Sequence, residues 1–354
     1  MTILWMNLAI VFTFALFARY FAVPVTMDAI QIKPNKLFVI LAAFSLVLVS
    51  GLRNNIGDTY FYMHAYTVTD FNWEYVQNNK DWGFSVFQMA LKNYTNDPQV
   101  MVFITAIVTN VLIVFTLYRY SRLLELSLYV YITSGMYLTS MNGIRQYLAA
   151  AIIFAATKYL LDGNWKKYTL VVLFASTFHQ SALVLLPIYF LVRRKAWSAM
   201  TFLFIFGAVL IVLGFNQFSE VVFATIGDTQ YGHYKDFHEG GANILRVAVE
   251  AAPLTLAYVG RDKLRELFPR SDYIVNMALI GAVFMLISTQ NWIFARFSIY
   301  FGLYQLILIS WVVKVFTEKD QKLIYYAILV CYFVYFVYEH IFTLGIVYKS
   351  EFLG

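Results

Sequence analysis

Residues 168–192 have the sequence YTLVVLFASTFHQSALVLLPIYFLV, which is apolar and long enough to cross a bilayer. The polar run FHQS at 178–181 interrupts it, and basic clusters flank it at 166–167 and 193–195. A single span would place the two clusters on opposite sides of the membrane, although basic residues collect on the cytoplasmic side. We therefore predict two short helices in a hairpin, with both clusters inside and His179 at the outer turn.

The composition indicates the same environment for the whole chain. Of its 354 residues, 61% are hydrophobic and 13% are charged, whereas a soluble domain has about 25% charged residues. A soluble globule of this size cannot bury so much apolar surface. An ordinary soluble protein, a disordered chain and a DNA-binding domain are therefore excluded. The net charge is +6. Because the basic residues of a membrane protein collect in its cytoplasmic loops, this charge does not indicate a nucleic-acid partner, and none is expected.

Further apolar segments occur along the chain. Segment 244–259 is the weakest, because it contains Arg246, Glu250 and Pro253. Together with the hairpin arms, the segments predict an all-α, polytopic membrane helix bundle of about 12 membrane segments, formed as one integral membrane domain over residues 1–354. The clear segments lie at 2–23, 37–52, 100–118, 126–141, 145–161, 199–216, 273–289, 295–315 and 323–345.

Two outer loops of this topology are long, at 53–99 and 217–243. The first predicts an interfacial amphipathic helix near 82–94, because large apolar residues recur there at helical spacing. The second contains polar residues that match no standard zinc motif, so we expect no metal. The recurring apolar residues are Phe84, Phe87, Leu91 and Tyr94, and the polar residues of the second loop are His233, Asp236, His238 and Glu239.

Four arginines lie at the outer ends of apolar segments. Each of them has a simple explanation, since arginine can extend to the lipid headgroups. As a set they are unexpected, because the outer side is normally poor in arginine. They are Arg53, Arg145, Arg246 and Arg296.

Two of these arginines open helices that enter from the outer side. The run NGIRQ at 142–146 offers free N–H groups, a glycine and Arg145 in the first turn, which together make an anion site. Arg296 occupies the first turns of the segment that begins near Trp292. With His179 at the start of the second hairpin arm, three helix N-termini are expected to converge. Such a site suits a diphosphate, because arginine pairs bidentately with phosphate oxygens.

Several residues are candidates for acid–base chemistry. His179 is either a core histidine bonded to a backbone carbonyl or a general base. Asp58 is the second candidate, or else a turn former after glycine. Glu339 and His340 lie within the last span, where ionisable residues are either functional or paired with each other. No P-loop, GxSxG or HExxH motif is present, which argues against an ATP-driven pump, a common esterase and a zincin.

Four motifs resemble the signatures of the EpsG family in order, spacing and side of the membrane. They are SGLR at 50–53, followed by the Gly57-Asp58 turn; NGIRQY at 142–147; FHQSAL at 178–183; and FARF at 294–297, followed by IYFGLYQ at 299–305. The family usually has Gly-Thr-Asp where this chain has Gly-Asp-Thr at 57–59.

The resemblance implies a Wzy-like exopolysaccharide polymerase of the bacterial biofilm matrix, similar to membrane glycosyltransferases of the GT-C class. The implied donor and acceptor are undecaprenyl-diphosphate-linked oligosaccharide units, joined on the outer face of the bacterial plasma membrane. A chain-length co-polymerase is a further partner that the resemblance allows. Nothing in the reaction requires a cofactor or a metal.

We therefore assign the site residues as follows. His179 is the base and Asp58 its alternative, while Arg145 and Arg296 bind the diphosphate and Arg53 is a third diphosphate ligand. Gln146 and Arg246 complete the substrate-binding set, and the helix near 82–94 guides the lipid tail. Three alternatives stay open: a flippase or transporter of lipid-linked oligosaccharides, a ligase that transfers glycan to another acceptor, and a membrane acyltransferase that uses His179 as base.

Overall fold

The computed structural model describes residues 1–24, 32–215, 217–220 and 240–353. Most of the predicted outer loop 217–243 lies outside these ranges, including its four polar residues at 233–239. The described residues form a helix bundle, apart from a two-residue antiparallel pair of β1 (Val23–Pro24) and β2 (Ile32–Lys33). The predicted all-α class is thus confirmed.

The helices of the first half are α1 (Thr2–Tyr20), α2 (Lys36–Gly51), α3 (Thr59–Val68), α4 (Trp73–Asn78), α5 (Trp82–Lys92), α6 (Pro98–Tyr120), α7 (Leu124–Thr133), α8 (Met136–Asn142), α9 (Ile144–Ala155) and α10 (Thr157–Asp162). Those of the second half are α11 (Trp165–Phe178), α12 (Leu185–Val192), α13 (Ala199–Leu213), α14 (Ile244–Val259), α15 (Arg261–Leu267), α16 (Ser271–Ile287), α17 (Ile293–Val312) and α18 (Glu318–Phe336). A 3₁₀ turn, Gln180–Val184, precedes α12, another, Val313–Val315, extends α17, and a π-helical turn, Val337–Thr343, extends α18.

Four of the described helices are long and apolar enough to cross a membrane: α1, α6, α17 with its extension and α18 with its extension. Other apolar helices, such as α2 and α16, are shorter. Two segments predicted as continuous spans are divided: 126–141 into α7 and α8, and 145–161 into α9 and α10. The first break is at Gly135, whose φ of +87° ends α7. The chain is therefore a helical membrane protein, while the count of about 12 segments stays a prediction.

The predicted hairpin is present. Helix α11 ends at Phe178, His179 is extended with φ −155°, and the chain then turns back through the 3₁₀ turn into α12. The rings of Tyr168, near the start of α11, and Tyr189, near the end of α12, lie 5.0 Å apart. Arg193 beyond α12 donates to the Leu160 carbonyl before α11. Both basic clusters consequently lie at one end and His179 at the other.

A helix, α5, is present where the sequence predicts the interfacial one, and its position at the membrane interface stays a prediction. Phe84 is buried, with its ring centroid 6.2 Å from that of Tyr62, so this side of α5 packs on protein. A Cβ added at Gly83 would lie 2.2 Å from Thr177 Oγ1 of α11. Glycine at this position therefore allows α5 to approach the end of α11 and brings residue 81 to the hairpin turn.

Helix α17 is the centre of the bundle. Residues 300–310 are buried on all sides, as expected for a helix enclosed by other helices. One side of α17 packs closely on α16: a Cβ added at Gly281 of α16 would lie 3.1 Å from Phe301 Cβ of α17. The N-terminal turns of α17, which include Arg296, are thus fixed in the middle of one end of the bundle.

The hairpin can be tested by single-cysteine labelling in a Cys331→Ser background. We expect Lys166→Cys and Arg194→Cys to react with a membrane-impermeant maleimide only after cells are opened, since both exposed positions lie at the same end. Tyr94→Cys, which replaces an exposed side chain between α5 and α6, should react in intact cells. Labelling of positions 166 and 194 from opposite sides would contradict the hairpin.

Candidate active site

Six of the seven predicted site residues line one cavity of about 430 Å³. It opens where α9 and α17 begin and where the hairpin turns. The sequence distributes these residues between positions 58 and 296, so the fold brings them together. They are Asp58, Arg145, Gln146, His179, Arg246 and Arg296.

The N-terminus of α9 faces open space in this cavity. A Cβ added at Gly143 would meet no atom within 4 Å, so a ligand can approach the first N–H groups of the helix. The preceding residue, Asn142, accepts a hydrogen bond from the Asp58 N–H through Oδ1 at 2.8 Å. This bond fastens the turn after α2 to the start of α9, as the first two motifs require if they form one site.

A buried carboxylate that sequence analysis missed organises the site. Asp81 Oδ2 lies 2.8 Å from Arg145 Nη1 and 3.0 Å from His179 Nδ1. Its Oδ1 accepts the Gln180 N–H at 2.9 Å. The Asp81 side chain is only 1% exposed, so these three donors replace its hydration. Asp81 thus joins α5, α9 and the hairpin turn.

The environment of Asp81 keeps it ionised. Burial by itself raises the pKa of the carboxyl, because the charged form loses water. The hydrogen bond of His179, its charge when the ring is protonated, the charge of Arg145 and the N–H of Gln180 act in the opposite direction. Together they outweigh burial and hold the pKa below its ordinary value. At neutral pH the carboxylate can therefore only accept hydrogen bonds.

This ionisation state fixes the tautomer of His179. Nδ1 must carry the hydrogen that Asp81 accepts, so Nε2 of the neutral ring has a lone pair. His179 lines the cavity, and its partner is a carboxylate rather than the backbone carbonyl of the simpler interpretation. Such a carboxylate orients the imidazole and stabilises the imidazolium that forms when Nε2 takes up a proton.

Two arginines are held at the cavity by neighbouring side chains. Arg145 also lies against Tyr62, with Nε 3.3 Å from the hydroxyl oxygen. The Arg296 guanidinium lies over the Trp292 ring at 4.9 Å. Gln146 donates from Nε2 to the Arg296 carbonyl at 2.7 Å, so its amide fastens α9 to α17. The sequence predicts that Gln146 binds substrate. In the structure its hydrogen bond to the Arg296 carbonyl fixes the backbone beside Arg145 and Arg296 relative to each other.

The third wall of the cavity, formed by residues of α14, α17, α18 and the π-helical turn after α18, differs from the prediction that Glu339 and His340 pair with each other. Glu339 does not pair with its neighbour His340; its Oε1 accepts from Arg246 Nε at 2.7 Å. The predicted substrate ligand Arg246 therefore already has a buried counter-charge. Glu250 and Gln305 line the same wall, with Gln305 Nε2 3.5 Å from Glu250 Oε2.

Arg53 is the predicted site residue that does not line the cavity. Its side chain is buried, with Nη2 donating to the Met141 carbonyl at 2.6 Å and Nε donating to Thr59 Oγ1 at 3.0 Å. Nη1 donates to the Ser50 carbonyl. The guanidinium thus joins the ends of α2 and α8 to the start of α3, and the expected contact with a diphosphate does not agree with this geometry.

Few features of the sequence point to the site residues that sequence analysis misses. The one cue for Asp81 is the run DWGF at 81–84, where a glycine interrupts large side chains at the start of an amphipathic helix. In the sequence, Glu250 is recognisable only as a charged residue that weakens the apolar character of segment 244–259. Among the described residues, no group of three or more His, Cys, Asp and Glu side chains is arranged to hold a metal ion.

The structural role of Arg53 predicts a loss of stability on substitution. Arg53→Lys removes the guanidinium that donates to two carbonyls and a hydroxyl. We therefore expect the free energy of unfolding to be about 2 kcal/mol lower than in the wild type. The melting temperature in detergent measures this. Arg194→Lys, at an exposed position, is the matched control and should melt like the wild type. Equal melting temperatures for both variants would refute the assignment.

The depressed pKa of Asp81 predicts a pH-dependent stability. The pKa of this carboxyl is about 4 in the unfolded chain and lower in the folded protein. Ionised Asp81 therefore contributes its full share of the free energy of unfolding above the unfolded-state pKa, and this share is lost as the pH falls through the folded-state pKa. Asp81→Asn should therefore melt well below the wild type at neutral pH, with a gap that narrows in acid. Asp70→Asn, at an exposed aspartate, is the control. A gap that does not change with pH would count against the ion pair.

Comparison with known proteins agrees with the motifs. The model of the EpsG family matches residues 36–350, a range that contains all four motifs. No curated protein and no solved structure matches the chain, so the likeness to the GT-C class stays a prediction. Because the family model covers nearly the whole sequence, this chain belongs to the EpsG family.

Proposed function

We propose that the chain is a polymerase that joins undecaprenyl-diphosphate-linked oligosaccharide units on the outer face of the bacterial plasma membrane. The observation that carries the proposal is the Asp81–His179 pair, whose His179 lines the same cavity as Arg145 and Arg296. A base beside two arginines suits a reaction in which a hydroxyl attacks and a diphosphate leaves. Membership in the EpsG family supports a Wzy-like polysaccharide polymerase.

In this proposal the donor diphosphate lies against the N-terminus of α9, with Arg145 and Arg296 as its cationic ligands. The acceptor hydroxyl oxygen attacks the anomeric carbon of the donor, a C–O bond forms, and the bond to the diphosphate breaks with its electron pair. Diphosphate is already a good leaving group. The protein therefore has to align the two substrates and compensate the charge that develops on the leaving oxygen.

His179 Nε2 takes the proton of the attacking hydroxyl, and Asp81 stabilises the resulting imidazolium. Arg145 bonds to the same carboxylate oxygen as His179, so diphosphate binding and the orientation of the base are coupled through one atom. Asp58 also lines the cavity, but its described hydrogen bonds, to Asn142 and Tyr62, are made by its backbone. We therefore favour His179 over Asp58 as the base.

An apolar groove next to the cavity supports a lipid substrate. Its volume is about 760 Å³, and α6, α9 and α11 form its walls. The lining includes Leu148, one turn after Arg145, and Phe178, the neighbour of His179. Phe87 of α5 completes it, in line with the predicted role of this helix in guiding the lipid tail. A polyprenyl chain in the groove would place its diphosphate at the arginines.

The test uses the protein in lipid nanodiscs with the lipid-linked unit that accumulates in cells deleted for this chain. We expect a product ladder from the wild type and none from Arg145→Ala or Arg296→Ala. His179→Ala should bind the unit but form no ladder, and Asp81→Asn should slow the reaction by about 10²-fold or more, because the imidazole loses its orienting partner.

Arg194→Ala, at the opposite end of the hairpin, is the control and should give the wild-type ladder. If the wild type binds the unit, forms no ladder and carries it across liposome membranes, the chain is a transporter. If a ladder survives in His179→Ala at the wild-type rate, the base assignment fails although the polymerase stands.

A further inference from the structure

We propose that the third wall of the cavity, formed by Glu250, Gln305, His340, Tyr332 and Tyr335, is a binding site for the saccharide of the lipid-linked substrate. This inference rests on the proposed function and assigns the sugar a place separate from the diphosphate. The wall combines residues of α14, α17 and α18 with the π-helical turn that follows α18.

The first observation is a carboxyl group without a cation. Glu250 lies within α14 and is 9% exposed. Its contact in the described structure is with Gln305 Nε2 at 3.5 Å, and it forms no ion pair with any described residue. A carboxyl group in an apolar helix is unfavourable unless it serves a partner. The cavity is the side from which such a partner can come.

The second observation is a buried imidazole without hydrogen bonds. His340 lines the cavity and is 5% exposed, and neither ring nitrogen has a partner among the described residues. A Cβ added at Gly135, which has φ +87°, would lie 2.4 Å from His340 Nε2. A glycine is thus needed to admit the ring. Both ring nitrogens are enclosed by protein in this structure, so a ligand hydroxyl would bond to them after the ring turns toward the cavity, and that bond would recover the cost of an unpartnered buried polar group.

The third observation is the charge of the wall, which selects the class of ligand. Arg246 is neutralised by Glu339, so the wall has no uncompensated cation among its described residues and does not suit a diphosphate. It offers instead a carboxyl, an amide and an imidazole, which bond to hydroxyls, beside the rings of Tyr332 and Tyr335. Polar groups that fix orientation beside aromatic faces are what a sugar ring requires.

The test compares binding of two lipids to the full-length protein in nanodiscs: undecaprenyl diphosphate without sugar, and the lipid-linked unit from cells deleted for this chain. Glu250→Gln and His340→Ala should each bind the lipid-linked unit about tenfold more weakly than the wild type, as expected for the loss of a hydrogen bond to a polar ligand. Both variants should bind undecaprenyl diphosphate normally. Arg296→Ala should weaken binding of both lipids.

Glu125→Gln is the matched control. Glu125 is also a buried glutamate, paired with Arg19 at the other end of α7 from Gly135, and its substitution should leave both affinities unchanged. If His340→Ala does not fold, Glu250→Gln decides alone. Normal binding of the lipid-linked unit by Glu250→Gln, or equal weakening for both lipids, would overturn the sugar site while a wild-type ladder upholds the polymerase. A wild type that binds neither lipid would overturn both.

Discussion

The buried carboxylate of Asp81 is the group on which the site depends. It accepts hydrogen bonds from a guanidinium of α9 and from an imidazole and a backbone N–H of the hairpin turn, two separate parts of the chain. Because a charge with almost no exposure is stable only when its donors are in place, the positions of α5, α9 and the hairpin turn are mutually fixed. The same bonds set the tautomer of His179 and hold Arg145 at the cavity.

Charge compensation governs the rest of the bundle as well. Arg246 pairs with Glu339, and Arg19 pairs with the buried Glu125. Arg53 is satisfied by carbonyls and a hydroxyl instead of a carboxylate. In an apolar environment an uncompensated charge is costly, so polar groups that lack an internal partner are informative. Two such groups lie in the cavity wall: Glu250, which forms no ion pair with a described residue, and His340, whose ring nitrogens have no described hydrogen-bond partner.

The cavity consequently has two chemical characters. Near the starts of α9 and α17 it presents helix N–H groups and arginines, which suit an anion. Along α14 and α18 it presents a carboxyl, an imidazole and tyrosine rings, with the charge of Arg246 compensated by Glu339. A lipid-linked oligosaccharide has the same division between a diphosphate and a saccharide, with a lipid tail that matches the adjacent apolar groove. We therefore interpret the three regions as parts of one substrate path.

The sequence by itself determined the membrane environment, the all-α class, the hairpin at His179 and the family, because apolar length, basic clusters and short motifs are local properties. It also singled out Arg145, Arg296 and His179, which line one cavity in the fold. Only the tertiary structure decided that Asp81 pairs with His179, that Arg53 is buried away from the cavity, and that Arg246 is neutralised. These outcomes depend on which helices pack together, since residues about 100 positions apart meet only when the bundle closes, and no local pattern encodes such a meeting.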